Sequence, residues 1–169
     1  VPVKPSQMLK RDHDEVKQLF KQFEDASARE QPGIVEEVIK QLTVHAQLEE
    51  QLVYPQLREI VKEQDIVAEA VEEHHVAKML IDEISSLEPD DERYTAKFTV
   101  LMESVQHHIR EEEKEMLPQL DKADQGMQDQ MAEQMEQQKQ QLLAAEGGGA
   151  RRGRSASRSE DDGGRQPAD

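Results

Sequence analysis

Residues 45–55 read HAQLEEQLVYP and residues 108–118 read HIREEEKEMLP. In each phrase a Glu follows the His by four positions and a Pro follows it by ten. On a helix, that spacing stacks an imidazole and a carboxylate on one face, one turn apart. Taken singly, His-x-x-x-Glu is commonly a surface pair between neighbouring turns. Written twice in one chain, it asks what two imidazoles and two carboxylates could do together. Nitrogen and oxygen donors without sulfur suit iron, manganese or zinc, and the chain has no Cys. The same absence removes disulfides, thiolate nucleophiles and iron–sulfur clusters.

The elements that must position these residues are amphipathic helices. Apolar residues recur at the helical period in four segments. The first carries Leu9, His13, Val16, Phe20 and Phe23 on one stripe, with Ser6 after Pro5 as the expected N-cap. The second carries Val38, Leu42, His45, Glu49 and Leu52, and Pro32-Gly33 marks the turn before it. The third carries Val67, Ala70, His74, Ala77, Ile81 and Ile84. The fourth, after the loop EPDDE, carries Phe98, Leu101, Val105, His108, Glu112 and Met116. Short linkers between such helices predict an all-α, up-down-up-down four-helix bundle. Its halves are alike, since each has a helix with one inward His followed by a helix with His-x-x-x-Glu and a Pro. The stripe selects His108 over His107, and Glu112 over Glu111.

Six polar residues therefore occupy positions where a bundle wants Leu: His13, His45, Glu49, His74, His108 and Glu112. A buried carboxylate without a partner costs several kcal/mol even after relaxation. A metal centre neutralises all six at once, with two glutamates from related halves suited to bridging two ions and histidines capping each. His75 and His107, one step off the stripes, are the candidates for an additional ligand. Glu50, Glu73, Glu111 and Glu113 read as a solvated acidic rim. Tyr54 is either a neighbour of the ligands or plain packing. Pro55 and Pro118 are expected to bend or end their helices, with no direct role.

With DHDEV at 12–16 and EEHHVAKMLIDEI at 72–84, the two phrases together resemble the hemerythrin-like (HHE cation-binding) domain over roughly residues 6–120. The resemblance implies a bundle holding two iron ions (Fe2+/Fe3+), bridged by two carboxylates and an oxo or hydroxo group. It makes His13, His45, Glu49, His74, His108 and Glu112 the ligands; manganese or zinc would also accept them. It implies binding or sensing of dioxygen, nitric oxide or peroxide. The alternatives are an oxidoreductase consuming peroxide or nitric oxide, or an iron donor for iron–sulfur cluster repair. The chain departs from oxygen-carrying hemerythrins in two ways. Lys78 stands where they have a further His, and Glu112 follows its His by four where they use an Asp at five. The missing nitrogen ligand leaves more open coordination, or lets His75 or water substitute, which weighs against a dedicated oxygen carrier and towards redox or sensing chemistry.

The formal net charge is −16, and residues 1–120 hold 27 acidic against 14 basic side chains. Such a surface repels phosphate backbones, so no nucleic-acid partner is expected for the bundle. No apolar run suggests a membrane span. The start, VPVKPSQM, lacks a signal-peptide pattern, so the expectation is a cytoplasmic protein. The expected organisation is a metal-binding bundle over 1–120, an extra helix or linker over 121–146, and a disordered Gly/Arg/Ser-rich tail over 147–169. Within the tail, RRGRSASRS could meet an acidic partner or accept phosphate at Ser155, Ser157 or Ser159.

Overall fold

The computed structural model describes residues 3–152. Helix α1 (Pro5–Asp25) opens on a proline whose fixed φ suits a first turn. The N–H of Lys4 closes that turn on Gln7 Oε1 at 3.2 Å. Ser6, expected to cap α1, lies inside the helix instead. It is buried, and its hydroxyl donates to Asp121 Oδ1 at 2.6 Å, tying the start of α1 to the residue that ends the last rod of the bundle. Helices α2 (Gln31–Leu48) and α3 (Tyr54–Ile60) form one rod joined by a π-helical turn, Glu49–Val53. After a break at Val61, α4 (Gln64–Ser85) runs back. Asp91 caps α5 (Glu92–Glu111) by accepting from Arg93 N–H at 2.9 Å. A second π turn, Glu112–Met116, joins α5 to α6 (Leu117–Leu120). These are the four rods of an up-down-up-down bundle.

The two π turns have a common cause. Pro55 and Pro118 have no N–H to give, and their rings would clash with the carbonyls of Gln51 and Lys114 in a regular helix. The chain widens by one residue instead: Tyr54 N–H reaches Glu49 C=O, and Leu117 N–H reaches Glu112 C=O. The prolines thus neither end the rods nor leave the site untouched. They set the widened turns that begin at both buried glutamates, and such turns often accompany functional sites.

A fifth long helix, α7 (Gln125–Arg152), extends the expected extra segment and lies against α1 and α2. Asp124 caps it through the N–H groups of Gly126 and Met127 at 3.2 and 3.0 Å. Its apolar stripe is thin but sufficient to bury Met131 and Met135. The remainder of the 147–169 tail, with its three serines, lies outside the described residues.

The core divides into two clusters. One surrounds Leu9, Leu57, Val67, Leu117, Leu120 and the α7 methionines. The other surrounds Phe20, Phe23, Val38, Phe98 and Leu101, with the Phe23 and Phe98 rings 4.4 Å apart. The polar residues occupy the layer between these two apolar plugs. Among the described residues no helix is long and apolar enough to cross a membrane.

Candidate metal centre

All six stripe residues meet in that layer. Glu49 and Glu112 are 0% and 1% exposed, and the four histidines are at most 8% exposed. His45 Nε2 lies 3.0 Å from Glu49 Oε1, and His13 Nε2 lies 3.3 Å from Glu112 Oε2. Between rods, His74 Nε2 is 3.1 Å from Glu49 Oε2, and within the last rod His108 Nε2 is 3.5 Å from Glu112 Oε2. The donor atoms fall into two groups able to hold a cation. His13, His45, Glu49 and Glu112 make the first; Glu49, His74 and His108 make the second. Glu49 belongs to both.

The histidines are oriented by four carboxylates that periodicity alone assigned elsewhere or passed over. His13 Nδ1 donates to Glu113 at 2.8 Å, His45 Nδ1 to Asp12 at 3.2 Å, His74 Nδ1 to Glu50 at 3.0 Å and His108 Nδ1 to Glu73 at 2.6 Å. A carboxylate can only accept, so each Nδ1 must carry the proton and each Nε2 faces inward. The arrangement is a closed ring. Asp12, beside His13, holds the histidine of the second rod; Glu50, beside Glu49, holds that of α4; Glu73, beside His74, holds that of α5; Glu113, beside Glu112, returns to α1. A basic side chain stands behind each carboxylate: Lys139 of α7 on Asp12, Lys78 on Glu50, the His107 imidazole on Glu73 and Lys17 on Glu113. Glu50, Glu73 and Glu113 are therefore not a free acidic rim. The signal in the sequence was their adjacency to a stripe residue. Glu111 keeps the surface role expected of it and pairs with His107 at 3.3 Å.

His75 is exposed and belongs to none of the cation-capable groups. His107 stays at the surface, 53% exposed, and reaches Glu73 rather than the buried layer. Lys78 grips both oxygens of Glu50 at 2.7 Å. Tyr54, by contrast, enters the centre. Its hydroxyl donates to Glu49 Oε2 at 3.1 Å and lies 3.1 Å from His74 Nε2 and 3.5 Å from His108 Nε2.

Several features fit this constellation to a positive ion. His13 Nε2, His45 Nε2, Glu49 Oε1 and both Glu112 oxygens are buried without a hydrogen-bond partner. Buried polar atoms are almost always satisfied, and these converge on the layer. The Nε2 atoms of His74 and His108 face each other at 3.1 Å, where two lone pairs repel unless a proton or cation lies between them. The electrostatics agree. Burial pushes His45 down, but Glu49 and Asp12 outweigh it and raise it to about 10. Burial likewise opposes His108, yet Glu112, Glu49 and Glu73 lift it to about 12. Burial raises Glu49, but the surrounding histidines hold its carboxyl well below the usual range. Burial, reinforced by Glu49 and Glu112, pushes the Tyr54 phenol well above its ordinary value. The layer draws positive charge from any source.

Beside the centre lies a cavity of about 320 Å³ reached by His13, His45, His74 and His108. Its walls are largely apolar, from Val16, Leu42, Ala77, Ile81, Val105 and Ile109.

A four-helix bundle with a buried layer of histidines and glutamates, each imidazole backed by a carboxylate, defines a metal-binding bundle protein. Residues 4–120 match the hemerythrin HHE cation binding domain, and the chain belongs to that family. A crystal structure of a hemerythrin HHE cation binding domain-containing protein from Mycobacterium kansasii superposes with a TM-score of 0.75. It covers 92% of this chain and 95% of that one, at 22% identity. A DNA nickase of Nostoc sp. is 28% identical over 110 residues, which is 63% of this chain and 30% of the relative. The chain thus spans about a third of the length of that relative.

Proposed function

We propose that this chain is a non-haem di-iron protein that binds or senses a small oxidant or gas: dioxygen, nitric oxide or peroxide. The observation that carries the reading is the set of unpartnered buried Nε2 and carboxylate atoms converging on one layer. His13, His45 and Glu112 would hold one ion, His74 and His108 the other, with Glu49 shared and Tyr54 beside the second. Bound iron would supply the gas-binding and redox chemistry. The protein's own part is fourfold. The ring of carboxylates fixes the imidazoles and raises their basicity. The two apolar plugs keep bulk water from the layer. The apolar cavity gives a small neutral molecule a dry approach. The Tyr54 hydroxyl, protonated at any ordinary pH, holds a proton next to Glu49.

That held proton favours a second reading, turnover of peroxide by disproportionation: one peroxide is reduced to water, which consumes protons, while a second is oxidised to dioxygen and returns the electrons and protons. The nicking activity in the name of the cyanobacterial relative is not carried over. The buried layer cannot reach a phosphodiester, and the surface charge opposes a polyanion. Anaerobic loading with Fe(II) followed by air should leave about two irons per chain and a new charge-transfer absorption. A folded protein that takes up no iron would end the proposal. Multiple peroxide turnovers per chain would select the second reading, and stoichiometric binding alone the first.

A further inference from the structure

The cavity beside the metal layer is far larger than a gas or peroxide needs. It measures about 320 Å³, whereas a diatomic gas or hydrogen peroxide takes the room of one water or two, roughly 30–60 Å³. Two bare cations take less still. A void of about 150 Å³ lined by aliphatic and aromatic side chains already holds benzene. Two alanines make the room. Ala77 stands on the inward stripe of α4, three residues after His74, where a bundle packs Leu, and Ala46 lines the same space from α2. As a result Leu42, Ala77 and Ile81, which pack on the apolar plug, are only half-buried. Core surface thus faces a void, with no atoms to pack against on one side.

The charges of the lining decide what kind of molecule fits. Its one lysine, Lys78, is clamped by both oxygens of Glu50 at 2.7 Å. Its acids are Asp12, Glu73 and Asp82. Asp12 and Glu73 are engaged, holding Nδ1 of His45 and His108, and Asp82 is exposed. An anion therefore finds no free ammonium or guanidinium among the lining residues, and a cation finds only Asp82. We propose that the cavity is a binding site for a neutral, largely apolar organic molecule, a small aromatic ring system of about ten non-hydrogen atoms, seated against the imidazole floor. Its walls come from all four rods, with Val16, Leu42, Ile81 and Val105 among them, and a concave apolar site of this size suits such a ligand. While seated, the molecule occupies the dry approach to the layer, so organic ligand and gas compete for one space. That competition rests on the metal-binding reading; the site itself does not.

Indole, benzoate and benzylammonium are probes of similar size, one neutral, one anionic and one cationic. Each is titrated calorimetrically into the full chain, metal-free and Co(II)-loaded, while valine and isoleucine methyl groups are followed by NMR. Indole should bind once per chain in both forms and shift the methyls of Val16, Ile81, Val105 and Ile109, which line the cavity. Ala77→Leu and, from the other side, Ala46→Leu should each weaken indole by roughly tenfold or more, with helical content as in the parent. Val100→Ala trims an exposed apolar side chain outside the cavity and should leave indole binding at the parental strength. Indole binding that never saturates, equal weakening by Val100→Ala, or tighter binding of either charged probe overturns the site. Should neither leucine variant fold, the parent's methyl shifts decide, and shifts scattered over the surface overturn it. A chain that holds indole but takes up no Co(II) ends the metal reading and leaves this site standing; one that holds Co(II) but no indole does the reverse.

Discussion

The two halves of the buried layer are written by the same phrase, yet they are chemically unequal. The first half gathers four side chains: His13, His45, Glu49 and Glu112. The second gathers three, and fills its remaining side with the Tyr54 hydroxyl. The difference traces to one position. Tyr54 and Leu117 each precede the proline of their phrase and each end a π turn. Leu117 stays in the apolar plug, fully buried. Tyr54, also buried, puts a hydroxyl against Glu49, while Glu112 has no such hydroxyl and faces only the Nε2 atoms of His13 and His108, at 3.3 and 3.5 Å. Duplicated backbones thus carry two unequal groups of donor atoms, one richer in side-chain donors and one beside a hydroxyl proton.

The comparison can be broken most severely at Glu49, the residue common to both halves. Glu49→Gln should abolish tight metal binding in both, whereas Glu112→Gln should leave the second half able to bind one ion; metal content of the folded variants distinguishes them. Next in size is the proton count. Each half holds one imidazole raised well above its ordinary value, His45 to about 10 and His108 to about 12. Because these folded values are raised, their stabilisation of the metal-free fold is complete below the unfolded value near 6.5 and is lost as pH climbs through about 10 and then 12. Metal needs the same Nε2 lone pairs, so loading at neutral pH should release protons from both halves. Weakly buffered solution should acidify in two steps during titration.

The outer carboxylates offer smaller, half-specific effects. Asp12→Asn should weaken the first half and Glu50→Gln the second, each by roughly 10–100-fold in metal affinity, as competition with a chelator would measure. Tyr54→Phe removes the asymmetry itself. It should alter the second ion's affinity by roughly fivefold, corresponding to one lost hydrogen bond of about 1 kcal/mol, and leave the first ion's unchanged. Smallest is Lys139→Ala, which acts on His45 only through Asp12. A few-fold weakening confined to the first half, on the order of half a kcal/mol as for other partly exposed pairs, is the expected chelator-competition result.

Periodicity was enough to place the bundle and to bring together the six stripe residues, including His108 and Glu112 rather than their neighbours. It failed for the residues around them, for geometric reasons. Asp12, Glu50, Glu73 and Glu113 each sit one position, about 100° of helix, away from a stripe residue. A single-helix projection therefore turns them toward solvent. Their partners are histidines on the adjacent rod, which no one-helix pattern reveals. Tyr54 follows Glu49 by five positions, about 140° off its face in a regular α-helix. Only the π turn, widened to five residues, swings it back over Glu49. The proline after it was visible in the sequence, but its consequence for the tyrosine was not. Helix α7 was faint because, among its residues whose burial is described, only Met131 and Met135, with Gln128, are buried. Its link to the centre passes through Lys139, one lysine in a run of glutamines.

The central claim, two ions in unequal surroundings, is tested most directly by a Mössbauer spectrum of the chain loaded anaerobically with isotopically enriched Fe(II). The account predicts two quadrupole doublets of equal area, of which Tyr54→Phe shifts one and spares the other. A single doublet that both ions share, or iron held at one position only, would contradict it.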